Sequence, residues 1–180
     1  MTRCFLATLL LLLAGLTSAQ AEWRASSPDE QALDAAAFGG LAPMITEQFG
    51  DVDSVVLVHK GRVAFEFYRD GAPDKLRKVH SVTKSALASV REATRQQNKG
   101  GPPVSMPYGY LWWVVPSQAP RPTFMASGYG GQVIWVYPPL ELVVAITSAA
   151  SPDSARRGQA IQLLRGRLFN AARQRASSGP

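Results

Sequence analysis

The chain has 180 residues, a formal net charge of +6 and a single cysteine, Cys4. That length suits one domain, and one cysteine excludes an intrachain disulfide and a multi-cysteine metal site. The arginines gather near the C-terminus as Arg156, Arg157, Arg165, Arg167, Arg173 and Arg175, with no RNA- or DNA-binding motif beside them. This favours a solvated helix face over a nucleic-acid interface.

In chain order, residues 1–21 carry a charged start at Arg3, an apolar run over residues 5–16 and a small-x-small site at Ala19-Gln20-Ala21. This is the pattern of an export signal, so residues 22–180 are expected to form the mature domain, periplasmic or secreted. The apolar run falls short of the ~20 residues a spanning helix needs, so no membrane span is expected. Cys4 lies in the segment expected to be removed, which leaves the mature chain without a thiol nucleophile or cysteine ligand.

Ser27-Pro28-Asp29-Glu30 reads as an N-cap, a proline at the first helical position and acids in the first turn, predicting a helix over residues 28–37. Gly39-Gly40 stops it, and residues 43–49 form a second helical stretch before Gly50. Residues 54–59 and 62–68 flank Lys60-Gly61 as a β-hairpin. In its second strand Val63, Phe65 and Phe67 alternate with more polar neighbours, which puts them on a core face. Residues 81–96 hold good helix formers without glycine or proline, with Val82, Leu87 and Val90 as a partly apolar surface. The stretch 98–103 breaks regular structure.

Three β-type runs follow, residues 108–115, 132–137 and 141–148, the last two separated by Pro138-Pro139. Ser151-Pro152-Asp153 caps a final helix in which Ile161, Leu164 and Leu168 recur at helical spacing, leaving the arginines on its far side. The series predicts an α+β fold: a five-stranded antiparallel sheet flanked by N- and C-terminal helices.

The residues that carry chemistry begin at His80-Ser81-Val82-Thr83-Lys84-Ser85. A serine in the first turn of a helix with a lysine three residues later lies on the same face, ~5–6 Å away between Cβ atoms. A lysine whose pKa is lowered can take the proton of the serine hydroxyl and make it a nucleophile, and the helix N-terminus supplies a positive field. S-x-x-K is short, and by itself it also describes a helix cap with a solvated lysine. A second element, Ser127-Gly128-Tyr129-Gly130-Gly131-Gln132, leads into a strand and also reads as an ordinary turn. His59 and His80 are too few for a metal site and read as structural or surface residues, so no metal or cofactor is expected. Trp112, Trp113 and Trp135 sit in strand-like runs and read as core.

The order of hairpin, S-x-x-K helix, aromatic strand at Tyr110-Leu111-Trp112-Trp113, glycine-rich strand entry at Gly128–Gln132, proline turn and apolar strand resembles one superfamily. It is that of class C β-lactamases, D-alanyl-D-alanine carboxypeptidases and 6-aminohexanoate-dimer hydrolases, with the likeness strongest to the last. The resemblance implies the β-lactamase-like sheet with the S-x-x-K helix on the face away from the terminal helices. It also implies Ser81 as acylated nucleophile, Lys84 as base, and Tyr129, Gly130 and Gly131 as the strand beside the substrate. The backbone N–H groups of Ser81 and Gln132 would form the oxyanion hole. The substrate it implies is a small amide or ester, with peptidoglycan-derived compounds and β-lactams in the class.

The chain departs from that pattern between the two elements. The superfamily carries a tyrosine-x-asparagine there, within a largely helical subdomain. Here the only asparagines are Asn98 and Asn170, neither two residues after a tyrosine, and twenty-three residues separate Lys84 from Tyr108. The reduced chain is expected to hydrolyse weakly or not at all, leaving open a catalytically dead remnant that binds cell-wall material or a partner, or has no function. Loss of the subdomain also predicts that Val82, Leu87 and Val90 are uncovered.

Overall fold

A computed structural model describes residues 24–78, 82, 106–109, 111–115, 122–149 and 158–174. The expected signal segment, the break at 98–103, the cap at Ser151-Pro152-Asp153 and the 81–96 helix, apart from Val82, lie outside the described residues.

The fold is α+β, built on an antiparallel sheet of six strands rather than five. The strands are β1 (Val52–His59), β2 (Arg62–Tyr68), β3 (Trp113–Val115), β4 (Thr123–Gly128), β5 (Gln132–Tyr137) and β6 (Leu142–Ser148), in the spatial order β2-β1-β6-β5-β4-β3. The additional strand is β4. Its Phe124 and Ala126 are buried on one face while Thr123 and Met125 face the other, so the polar alternation that marks a half-exposed strand is absent.

The β1–β2 hairpin turns at Lys60 (φ 48°) and Gly61 (φ 73°), the two left-handed residues that a tight two-residue connection requires. A register shift beside Leu57 and Val58 modifies the expected alternation of β2. Val63 pairs with Val58, whereas Ala64 and Phe67 enter the main core and Phe65 packs on its margin. The predicted strand 108–115 is also shorter than expected. The chain folds back at Leu111 (φ 67°), so that Tyr108 bridges Trp113 and their rings lie 4.6 Å apart.

At the N-terminal side, the single helix expected over 28–37 is split. A 3-10 turn (Asp29–Gln31) ends at Ala32, whose φ is 54°, and Asp34 then caps a new helix, α1 (Ala35–Gly39), by accepting from Ala36 N–H at 2.9 Å. The cap at Ser27 has the predicted residues. Ser27 N–H donates to Glu30 Oε2 at 3.0 Å and Glu30 N–H donates to Ser27 Oγ at 3.3 Å, a reciprocal pair that satisfies two otherwise orphaned donors. Helix α2 (Leu41–Gln48) follows directly. At its C-terminal end the Arg69 guanidinium gathers backbone carbonyls: Nε donates to Val52 at 2.8 Å, and Nη2 donates to Phe49 at 2.8 Å and Ile45 at 3.2 Å. One cation thus completes the carbonyls of the last turn and ties α2 to the end of the hairpin.

The C-terminal segment comprises α3 (Gln159–Leu163), a π-helical stretch (Leu164–Leu168) and α4 (Phe169–Arg173). Ala160, Leu163, Leu164, Leu168, Ala171 and Ala172 are buried, Ile161 is half-buried, and Arg165, Arg167 and Arg173 face solvent as expected. With Leu33, Phe38, Leu41 and Ile45 they cover the sheet face formed by Val55, Leu57, Val133, Val144 and Ile146. The opposite face carries a smaller cluster of Trp112, Phe124 and Ala126 with Val82. Val82 is helical and only 4% exposed, which corrects the expectation that loss of a covering subdomain leaves it bare. Its cover is the β4–β5 face itself. Leu87 and Val90 lie outside the described residues.

Replacing Arg69 by methionine keeps the alkyl stem and removes the charged donors. It is expected to cost about 1.5–3 kcal/mol of unfolding free energy in urea, the range for hydrogen bonds made by a charged group.

Candidate functional site

The second motif lies at one end of the sheet. Gly128 and Gln132 are the first paired residues of the β4–β5 hairpin, and Tyr129, Gly130 and Gly131 connect them. Gly130 (φ 82°) and Gly131 (φ 89°) take the left-handed conformation that side-chain-bearing residues avoid. At Gly131 space demands glycine as well: a Cβ there would stand 3.2 Å from Ser148 Oγ and 3.5 Å from Ala160 Cβ. The absent side chain of Gly131 therefore admits β6 and α3 of the same chain. Tyr129, at the tip, is 57% exposed.

Gln132 is 1% exposed, and its amide acts within the fold. Nε2 donates to the Ser148 carbonyl at 2.5 Å and Oε1 accepts from Ser148 N–H at 3.2 Å, while Ser148 Oγ donates to the Gly131 carbonyl at 3.2 Å. The side chain continues the β5–β6 ladder beyond its last backbone pair and fixes the position of the glycine turn.

The same end of the sheet carries a charged cleft of about 480 Å³, bounded by Asp53, Arg69, Asp70, Lys75, Arg77 and Lys78, with Ser148 at its edge. Asp70 organises it, accepting from Lys75 Nζ at 2.8 Å, Arg77 Nη2 at 2.6 Å and Ala72 N–H at 3.2 Å. The hydrogen bond from Lys75, then that from Ala72, and the Arg77 charge hold the Asp70 carboxyl at about 2. Arg77 lies 5.2 Å over the Tyr68 ring. Burial first, and then donation of its hydroxyl to Glu66 at 2.7 Å, push Tyr68 up to about 12. Asp53 is raised by burial, against the opposing charges of Arg69 and Arg77. Four basic side chains against two carboxylates leave the cleft positive, suited to an anionic group. Sequence reasoning assigns no role to Arg69, Asp70, Lys75 or Arg77. Their signal is the density of opposite charges around Gly71 (φ 68°) and Pro73, which packs them into one turn.

Of the residues expected to form the site, Tyr129, Gly130, Gly131 and Gln132 stand together at this end. Ser81 and Lys84 lie outside the described residues, as does His80. The described residues nearest to Ser81 in the chain are Lys78, on the charged cleft, and Val82, packed on the β4–β5 face. His59 is fully buried at the other end of β1 with Nδ1 2.9 Å from Gln31 Oε1, a contact that ties the strand to the N-terminal turn. Among the described residues no group of three or more His, Cys, Asp or Glu side chains is placed to hold a metal ion, and no helix is long and apolar enough to cross a membrane. No family model matches the chain, and no curated protein matches it in sequence.

Two outcomes follow. Gln132→Ala leaves two buried Ser148 backbone groups unpaired and should lower stability in urea by about 2–6 kcal/mol, from ~1–3 for each group, whereas Tyr129→Ala should change it by under about 0.5. Asp70 titrates near 3.8 when unfolded and about 2 when folded, so its contribution to stability is complete above the first value and lost as pH falls through the second. The melting-temperature difference between the chain and Asp70→Asn should be constant from neutral pH to about pH 4 and then shrink toward zero near pH 2.

Proposed function

We propose that the chain is a serine hydrolase related to the class C β-lactamases and 6-aminohexanoate-dimer hydrolases, acting on amide or ester bonds through an acyl-enzyme at Ser81. The observation that carries this reading is the position of the Tyr129-Gly130-Gly131-Gln132 turn. It stands beside a positive cleft at one end of an antiparallel sheet, and residues on both sides of Ser81 in the chain meet that sheet or that cleft.

In this reading Ser81 Oγ attacks the substrate carbonyl carbon while Lys84 Nζ takes its proton. The negative charge of the tetrahedral intermediate falls on the carbonyl oxygen, to which the backbone N–H groups of Ser81 and Gln132 donate. Collapse breaks the bond to the amine or alcohol, which leaves with the proton held by Lys84. Water then attacks the acyl-enzyme, and the same lysine relays the proton back to Ser81. The Gln132 side chain serves this chemistry indirectly by holding Gly131 and the strand entry against Ser148. The basic cleft favours substrates that carry a carboxylate, which includes peptidoglycan-derived fragments and β-lactams.

The absence of tyrosine-x-asparagine predicts slow turnover. In the superfamily that tyrosine shares the proton transfer with the lysine, so without it Lys84 would have to move the proton alone. The same absence supports a second reading, a remnant that binds cell-wall material without hydrolysing it.

A fluorophosphonate or fluorescent penicillin probe separates the two. The hydrolase reading expects covalent labelling of the folded chain that disappears in Ser81→Ala and falls by at least ~100-fold in rate in Lys84→Ala, the lower range for a general base. Absence of labelling, or labelling unchanged in Ser81→Ala, overturns it.

A further inference from the structure

On the other face of β4–β5, and toward the opposite end of the strands, a second cavity of about 360 Å³ opens between the sheet and the C-terminal helical segment. Its sheet wall includes Thr123, Met125 and Trp135, and its helix wall includes Ile161, Arg165 and Phe169. Three observations single it out.

The first is an aromatic lining left half-exposed. Trp135 and Tyr137 stack at 5.4 Å with 17° between their planes, and the Phe169 ring stands edge-on to both at 5.0 and 4.9 Å. These are the geometries in which aromatic rings attract, and they form a rigid floor and wall that a flat apolar body can extend. The second is charge. Arg165 stands exposed at the cavity, and among the described residues both ion pairs are made by Asp70 at the far end of the sheet. Among the described residues no carboxylate lines the cavity and no ion pair holds Arg165. The third is Thr123. It is 3% exposed, it lines this cavity, and its hydroxyl has no hydrogen-bond partner. The π-helical stretch that contributes Leu164 and Arg165 to the wall is of a kind often found at functional sites.

We propose that this cavity is a binding site for a small aromatic carboxylate, its ring against Trp135, Tyr137 and Phe169 and its carboxylate on Arg165. The volume holds on the order of a dozen non-hydrogen atoms at roughly 30 Å³ each. The planar fork of arginine matches a carboxylate in two parallel hydrogen bonds, which selects an acid over a neutral molecule of the same shape. The site shares neither its residues nor its sheet face with the serine chemistry proposed above, and it stands whether or not that chemistry occurs.

The test is a titration of the full chain with 2-naphthoate, followed by amide and indole N–H shifts in NMR, with 2-naphthamide as the uncharged partner of the same shape. At ~0.3 kcal/mol per non-hydrogen atom the acid should bind with a Kd of about 1 mM or tighter. Saturable shifts should cluster at Trp135, Tyr137 and residues 161–169, and the amide should bind roughly tenfold more weakly. Arg165→Gln, a substitution on a solvent-facing position that leaves the core untouched, should bring the acid down to the affinity of the amide. Ser81→Ala should bind naphthoate as the parent chain does, which separates this site from the hydrolase reading. Absence of saturable shifts at these residues, equal affinity for acid and amide, or an unchanged affinity in Arg165→Gln overturns the proposal.

Discussion

The motif end of this molecule depends on one pair of hydrogen bonds between the Gln132 carboxamide and the backbone of Ser148, one donated and one accepted by the side chain. A strand can pair through its backbone only where its neighbour runs alongside, and β5 begins where β6 ends. The amide of Gln132 bridges that last step, and in doing so it fixes Gly131 against Ser148 Oγ and, behind it, the first turn of α3 at Ala160. Three elements meet where no side chain fits. Glycine at 131 is thus required twice, once by its left-handed φ and once by the space. One side of the glycine turn is thus occupied by contacts within the protein.

The N-terminal hairpin β1–β2 and the meander β3–β6 are joined by the pairing of β1 with β6, from Val52 opposite Ser148 to His59 opposite Leu142. Strands β2 and β3 are the two edges of the sheet, so the chain that leaves β2 at Tyr68 re-enters at the opposite edge, at Trp113. The entropy of closing such a loop grows only with the logarithm of its length, each doubling adding about 0.6 kcal/mol. The length of that connection therefore bears little on the stability of the sheet, whose two halves are held by the β1–β6 pairing.

What the sequence made legible followed from local rules. Lys60-Gly61 marks its hairpin because a two-residue connection needs two left-handed residues, and Ser27 marks a cap because a serine followed by proline and acids suits the start of a helix. What stayed hidden depended on distant partners. Strand β4 is buried on both faces, Phe124 and Ala126 against Val82 and Trp112, Thr123 and Met125 toward the C-terminal segment, so it lacks the alternation of a half-exposed strand. Ala32 and Leu111 take positive φ without being glycine or asparagine, and no composition rule anticipates the breaks they make. At the candidate site, the glycines and Gln132 were readable as residues. Their partner Ser148 was not, since sixteen residues separate it from Gln132 and only the sheet brings them together. The Asp70 cluster was concealed differently, as a run of ordinary surface charges that a single turn converts into a cleft.

The C-terminal segment has to satisfy two contacts that an ordinary helix could not reach together. At its start Ala160 must lie against Gly131, and farther on Leu168 and Ala172 must lie in the main core. An α-helix advances about 100° per residue, which would carry Leu168 about 80° and Ala172 about 120° around the axis from Ala160, toward the rim of the buried face. The π-helical winding of Leu164–Leu168 turns less per residue and rotates both back onto the sheet, while Arg165 and Arg167 remain outside. Such a wider turn is less favourable in isolation, so packing at both ends must hold it. The consequence is local: with the helix pinned at Ala160 and again at Leu168, the wall between them is set by two anchors rather than by its own fit to the strands. Leu164 and Arg165 line the hollow over Thr123 and Trp135 for that reason.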